Sequence, residues 1–451
     1  MDHTETIIAI SSPLGEGGVG LVRLSGPQAK EIGQQVFRSK PPLGSRPRHV
    51  EYGRVMEGTQ MLDHGLAWFF NAPHSYTGDD TVEISAHGSA VVLEALVQGA
   101  IACGAVLAGP GEFTRRAFLN GRLDLLQAEA VIEIIRTSSR AGLDNAYGQA
   151  SGRLSRLVRE LKQILVSAIS FLELRLDFSE EDNEAVSGES VRQELQGALS
   201  LATCLIDTFE GARRRQTGLR VCLLGLPNAG KSTLFNSMLG EGRAIVSPQP
   251  GTTRDFIEAR TVWSGETVRL VDTAGFRTTG NAIEREGVQR TRQCVADADL
   301  VLAVVDSSEP WQEMYDDMFE LTRDQAAALV LNKNDLENRV SPVPECVSIP
   351  HVEVSALRGD GIAALQSLAV GLFPRLRSID GVGLVQVRHR DCLQRMATAT
   401  AAALEGLSSG HPHECIVVEL RSALSALSEL LGETWEDEIL DHVFAQFCIG
   451  K

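Results

Sequence analysis

The rhythm of hydrophobic and polar positions changes three times along the chain. From residue 1 to about 120, short apolar runs such as LVRL, LAWFF and TVEISAH are broken by Gly and Pro, which predicts a compact α+β unit. From 121 to 217 the apolar residues recur every three or four positions, as in LDLLQAEAVIEIIRTSS and LSRLVRELKQILVSAISFLELRL, which predicts long packed helices. An acidic stretch, DFSEEDNEAVSGES at 177–190, interrupts them before GALSLATCLIDTFEGARRR resumes. Between 218 and 377, strand-like LRVCLLG, TVRLVDT, DLVLAVVD, AALVLNK and HVEVSA alternate with helical text, the pattern of a doubly wound parallel sheet. From 378 to 451 helical text returns with ATATAAALEGL and LRSALSALSELLG, ending in FCIGK. The expected organisation is an N-terminal α+β domain at 1–120, a helical domain made of 121–217 and 378–451, and an α/β domain inserted at 218–377.

Composition narrows this picture. A length of 451 residues suggests about three domains at ~150 residues each. With 43% hydrophobic and 22% charged residues the chain should fold around real cores. The start MDHTETIIAISSP lacks a basic region followed by a long apolar stretch, and no segment reaches the ~18 apolar residues of a membrane span. The expectation is a cytoplasmic protein with no membrane partner. A net charge of −17 excludes a protein that coats nucleic acid non-specifically, because that binding draws on Lys and Arg. Any RNA contact must be local; Arg213, Arg214, Arg215 and Arg220 form one candidate patch, with a solvated basic linker as the plainer reading. Eight scattered cysteines without a C-x-x-C pair signal neither a zinc site nor a disulfide framework, and most read as small buried apolar residues.

The inserted domain carries the clearest chemistry. Gly225-Leu-Pro-Asn228-Ala229-Gly230-Lys231-Ser232-Thr233 follows one strand and opens a helix. In that context backbone N–H groups wrap phosphates, Lys231 reaches the β/γ oxygens and Ser232 ligates Mg2+. Asp272-Thr273-Ala274-Gly275 ends a second strand and supplies an acid beside the magnesium and an N–H for the γ-phosphate. Asn332-Lys333-Asn-Asp335 ends a third, where the Asp335 carboxylate can accept from guanine N1–H and its amino group; Ser355-Ala356-Leu357 adds a backbone N–H for guanine O6. Thr253, in Gly251-Thr252-Thr253, is the expected second magnesium ligand. Together these motifs specify a GTP site in a Ras-like P-loop domain. Phe276 follows Asp272-Thr-Ala-Gly275 in place of a water-orienting Gln, and no arginine finger is evident, so both contributions need another source.

The segments GLPNAGKSTLFN, SPQPGTTRDFIE, DTAGFR and NKND resemble the Era/EngA/MnmE group of GTPases. The flanks, GEGGVGLVRLSGP at 15–27, APHSYTGDDTVEISAHG at 72–88, GPGEFTRRAFLNGRLDLLQAEAV at 109–131 and terminal FCIGK, resemble the MnmE (TrmE) family of tRNA modification GTPases, over essentially the whole chain.

That resemblance implies a K+ ion as the activating charge, held by Asn228, Ser247, Gln249 and Thr252 when two such domains meet. Ser247 departs from the more frequent Thr. It implies Glu284 as the catalytic, water-orienting residue, with Glu286 as its neighbour and competitor. For the N-terminal domain it implies dimerisation and binding of a tetrahydrofolate derivative (5-formyl or 5,10-methylene) through Arg23, Glu83, Arg122 and Lys451, with Arg122 replacing a common Lys. Cys448 would be a functional thiol near that pocket or a buried structural one. The implied activity is GTP hydrolysis by a homodimer that, with the FAD-carrying flavoprotein MnmG (GidA), adds an aminomethyl or carboxymethylaminomethyl group to C5 of the wobble uridine of certain tRNAs. A ribosome-assembly GTPase is the rival reading, although the tail offers no GXXG loop of a KH-type RNA-binding domain. A freestanding folate aminomethyltransferase with a regulatory GTPase is a further rival.

Overall fold

The computed structural model describes residues 5–13, 15–46, 48–137, 139–177, 188–240, 257–272, 291–311, 313–323, 325–336, 349–373, 379, 381–434 and 437–451. The chain divides into two units: residues 1–133, 149–199 and 395–451 form one, and residues 134–148 and 200–394 the other.

The first unit is built on a seven-stranded sheet of β1 (Ile7–Ile10), β2 (Gly17–Ser25), β3 (Phe37–Ser39), β4 (Val50–Glu57), β5 (Gln60–Phe70), β6 (Thr81–Gly88) and β7 (Val106–Leu107), in the order β3-β4-β5-β6-β2-β1-β7. Period-two patterning sets its two faces. On β6, Val82, Ile84 and Ala86 are buried, while Glu83, Ser85 and His87 alternate toward the other side. Helices Ala29–Val36 and Ala90–Ala102 cover the buried face, adding Ile32, Val36, Leu93 and Leu96 to its core. The opposite face leaves Val50, Tyr52 and Leu66 exposed.

In the same unit, helix Arg153–Asp177 buries Leu154, Val158, Leu161, Leu165, Ala168 and Leu172, and helix His413–Leu431 buries Ile416, Leu420, Ala423, Leu427 and Leu430. Both stripes advance by alternating steps of four and three residues, so the two helices pack along their length. Arg421 pairs with Glu173 at 2.6 Å, and Lys162 with Glu433, at the edges of this seam.

The second unit holds a six-stranded sheet: β8 (Leu219–Gly225), β9 (Ile257–Trp263), β10 (Glu266–Asp272), β11 (Leu300–Asp306), β12 (Ala327–Asn332) and β13 (His351–Glu353), ordered β13-β12-β11-β8-β10-β9. Only β9 runs antiparallel; it joins β10 through Ser264 and Gly265, both at positive φ, the geometry of a tight hairpin turn. Every residue of β11 and β12 is buried, as expected of parallel strands covered on both sides. Leu234, Phe235, Met238 and Leu365 cover one face, and Cys294, Val295, Tyr315 and Met318 the other. Leu302→Ala at the sheet centre would cost about 2–5 kcal/mol. Because β8, β10, β11, β12 and β13 are parallel, their carboxyl ends, where open α/β sheets bind ligands, lie along one edge.

Candidate functional site

At the end of β8 the chain reverses into helix Lys231–Leu239. Two residues make that reversal possible, Asn228 at φ 62° and Gly230 at φ 86°. Gly225 is required by space, since a Cβ there would lie 2.4 Å from the Val304 carbonyl oxygen on β11. The buried Lys231 ammonium donates to the carbonyls of Gly225 at 2.8 Å and Leu226 at 2.7 Å, so it is already curled inside the loop that would wrap phosphates. Burial pushes its pKa down, against the pull of the Asp272 carboxylate. A phosphate arriving here meets a desolvated cation, whose attraction is strengthened by low local polarity. Ser232 donates to Asp272 Oδ2 at 3.0 Å. This hydroxyl and carboxylate are the oxygen donors that suit Mg2+, which keeps several waters and a few such ligands. Thr233 follows on the exposed side of the first helical turn.

The residues expected to read a base lie beyond β12 and β13. Asn332 is 2% exposed and acts as a bridge: its Nδ2 donates to the Ala229 carbonyl at 2.9 Å, and its Oδ1 accepts from the Ala356 N–H at 3.0 Å. It therefore fastens the phosphate loop to the 355–357 loop, with its amide so close to Gly230 that no Cβ fits there. Ser355 donates to Asp335 Oδ1 at 2.7 Å. That hydroxyl, ahead of smaller contributions, lowers the Asp335 pKa and leaves the carboxylate ionised as an acceptor. Leu357 is 80% exposed. Lys333, at φ 65°, forms an ion pair with Asp306 at the end of β11. A cavity of about 270 Å³ opens beside the loop, lined by Pro227, Asn228, Asp306, Glu309 and Tyr315 among others.

A second cluster lies on the seven-stranded sheet of the first unit, on the face opposite the two helices. Trp68 on β5, Glu83 on β6 and Arg23 on β2 are cross-strand partners in one row. Arg23 Nε donates to Glu83 Oε1 at 2.7 Å and Trp68 Nε1 to Glu83 Oε2 at 2.8 Å. The Arg23 guanidinium also lies 5.8 Å from the Tyr76 ring centroid and 5.6 Å from that of Phe113. The C-terminal tail completes the cluster. Gly450 offers its carbonyl to Ser11 at 3.1 Å and to Arg23 at 3.5 Å, and its own φ of 95° lets the backbone pass against Ile10. Burial and then Arg23 push the Lys451 pKa down, while Glu83 raises it.

Of the residues anticipated for this site, Arg23, Glu83 and Lys451 come together. Arg122 stands exposed near Gly78, and Cys448 is exposed on the tail, whose backbone carbonyl there accepts from Gly111. Ser247, Gln249, Thr252, Thr253, Thr273, Ala274, Gly275, Glu284 and Glu286 lie outside the described residues. The basic run is largely spoken for: Arg214 pairs with Asp299 at 3.1 Å, Arg220 with Asp297 at 3.3 Å, and Arg213 lies over the Phe209 ring.

Sequence reasoning missed Trp68, Asp306 and the contact between two cysteines, Cys222 and Cys294. Asp306 carried a usable signal, an acid at the carboxyl end of a wholly apolar strand.

Known proteins match along the whole chain. The family description "GTP-binding protein TrmE N-terminus" matches residues 6–122 and "MnmE helical domain" residues 125–448. A protein of Geobacter sulfurreducens named tRNA modification GTPase MnmE is 42% identical, covering 99% of both chains. Proteins of the same name from Roseiflexus castenholzii and Geobacillus kaustophilus are 39% and 38% identical, covering 100% of both chains.

Proposed function

The chain belongs to the MnmE family of tRNA modification GTPases, and we propose that it hydrolyses GTP to drive modification of the wobble uridine in certain tRNAs. The observation that carries the GTPase reading is convergence at one sheet edge: Lys231 and Ser232 after β8, Asp272 ending β10, Asp335 beyond β12 and Ser355 beyond β13.

In this reading Lys231 exchanges its two carbonyl contacts for β/γ-phosphate oxygens, and Asp335, held by the Ser355 hydroxyl, selects guanine by accepting from its N1–H and amino group. Mg2+, when bound by Ser232 and Thr253, supplies charge that offsets the build-up on the transferring phosphoryl group. Asn228 lines the cavity of about 270 Å³, and it would help hold K+ with Ser247, Gln249 and Thr252 as two GTPase domains meet. Glu284 would orient the attacking water.

The Trp68–Glu83–Arg23 row supports a tetrahydrofolate one-carbon donor in the N-terminal domain. A carboxylate held by two donors retains lone pairs for the N–H edge of a pterin, and Arg23, Arg122 and Lys451 suit the acidic tail of such a ligand. Val50, Tyr52 and Leu66, exposed on the same sheet face, support a homodimer through that face. FAD chemistry would come from the flavoprotein partner MnmG (GidA), and the complex would act on tRNA in the cytoplasm.

Nucleoside mass spectrometry on tRNA from cells lacking this chain tests the proposal. Loss of the aminomethyl-type wobble nucleoside is expected. Unchanged tRNA would sink the reading and favour a ribosome-assembly role.

A further inference from the structure

The G-nucleotide unit holds two thiols that nothing in the nucleotide site uses. Cys222 lies in the middle of β8 and Cys294 on the helical stretch at 291–296, yet their sulfurs are 3.3 Å apart. Both residues are buried, at 0% and 1% exposure, among Leu224, Val271, Val301 and Tyr315. A disulfide needs sulfurs about 2.05 Å apart, so closing the gap takes little more than an ångström of movement.

The position gives such a bond leverage. Three residues beyond Cys222, β8 ends at Gly225 and enters the phosphate-binding loop. The stretch bearing Cys294 lies between β10, which ends in Asp272, and β11. A covalent link would tie this helical stretch to the central strand. In GTPases the segments following the magnesium-side aspartate rearrange with the γ-phosphate, so a clamp there restrains the step that hydrolysis requires.

We propose that Cys222 and Cys294 form a reversible oxidation site that slows GTP turnover when joined as a disulfide.

The chemistry balances with a hydroperoxide as oxidant. The Cys294 thiolate attacks a peroxide oxygen, the O–O bond breaks, and hydrogen peroxide leaves water and a sulfenic acid. The Cys222 sulfur then attacks the sulfenic sulfur, the S–O bond breaks, and a second water departs with the remaining proton. Two thiols lose two electrons and one peroxide gains them; a dithiol reverses the bond by exchange. The division of roles follows from local electrostatics. Hydrogen bonding from Cys222 and then, against burial, the Arg220 guanidinium lower the Cys294 pKa, while the same hydrogen bond and burial raise that of Cys222. Because both sulfurs are buried, oxidation depends on local opening of the helical stretch and is slow.

The test treats the full-length chain with hydrogen peroxide, alkylates free thiols under denaturing conditions, and maps cross-linked peptides by mass spectrometry while GTP turnover is followed. The expected result is a Cys222–Cys294 peptide pair, with turnover falling by about an order of magnitude and recovering with dithiothreitol. Cys294→Ser should keep basal turnover and lose the peroxide response; if that variant fails to fold, Cys222→Ala gives the same readout. Full alkylation of both cysteines after peroxide overturns the proposal. A cross-link that leaves turnover unchanged, or an equal loss of turnover in the variant, overturns it as well.

Discussion

The two polar clusters of this chain are assembled in opposite ways. In the nucleotide site, Ser232 meets Asp272 across 40 positions of sequence, one in the helix that follows β8 and the other ending the neighbouring parallel strand β10. In the N-terminal cluster, Arg23 meets the Gly450 carbonyl across 427 positions, and Glu83 is fixed by the register of three antiparallel strands. The first arrangement is local: strand, turn and helix dictate where Lys231 and Ser232 point. The second depends on strand register and on the docking of the six residues that follow helix Asp437–Ala445. Damage to the nucleotide site should therefore change chemistry and spare the fold, whereas damage to the N-terminal cluster should spread through contacts that also hold the tail.

The largest effect is expected from Lys231→Ala, which removes the cation at the phosphates and should lower kcat for GTP hydrolysis about 1000-fold while thermal melting stays close to that of the parent. Melting that collapses together with turnover would show that the site is not separable from the fold. Next comes Asp335→Asn. An amide offers a donor where guanine also has donors, so GTP affinity should fall about 100-fold, and xanthosine triphosphate, with an oxygen at C2, should be preferred. Isothermal titration with both nucleotides checks this; an unchanged preference would remove Asp335 from base reading. Asn228→Ala should erase a potassium-over-sodium advantage in GTP turnover, and equal rates in both salts for the parent chain would refute the potassium assignment.

On the other side of the comparison, Trp68→Phe deletes one donor to the Glu83 carboxylate and should weaken tetrahydrofolate binding about tenfold, measured by fluorescence quenching, with GTP turnover untouched. The smallest effect concerns pH. Burial raises the Asp306 pKa, but Lys333 and Ser308 outweigh it and hold the carboxyl below its ordinary value. A depressed carboxyl contributes stability that is fully present above the unfolded-state pKa of about 3.9 and is lost as pH falls through the folded value. Melting of the GTPase unit should thus weaken below about pH 4, and Asp306→Asn should flatten that decline; an identical pH profile in the variant would show the pair to be incidental.

These contrasts also explain what could be read from the letters. The phosphate loop, the Asp272 strand end and the Asn332–Asp335 motif were legible because each is a contiguous string whose backbone context follows from hydrophobic periodicity. The role of Asn332 as a bridge between two loops was not, since it needs β8 and β12 to lie on either side of β11. The same holds for Asp306 against Lys333, and for Trp68, which joins Glu83 only through the register of β5 and β6. Arg23, Glu83, Arg122 and Lys451 were named through family resemblance; no spacing rule would have linked the ends of the chain. The two paired thiols were invisible because one sits on a strand and the other on a helix that packs across it.

The central claim joins both sites to one reaction on tRNA. It is tested most directly by returning the parent chain, Lys231→Ala or Glu83→Gln to cells that lack this gene and measuring the wobble nucleoside by mass spectrometry. The parent should restore the aminomethyl-type modification and neither variant should, although Glu83→Gln should still hydrolyse GTP. Full restoration by either variant would contradict the account, because it would uncouple that site from the modification.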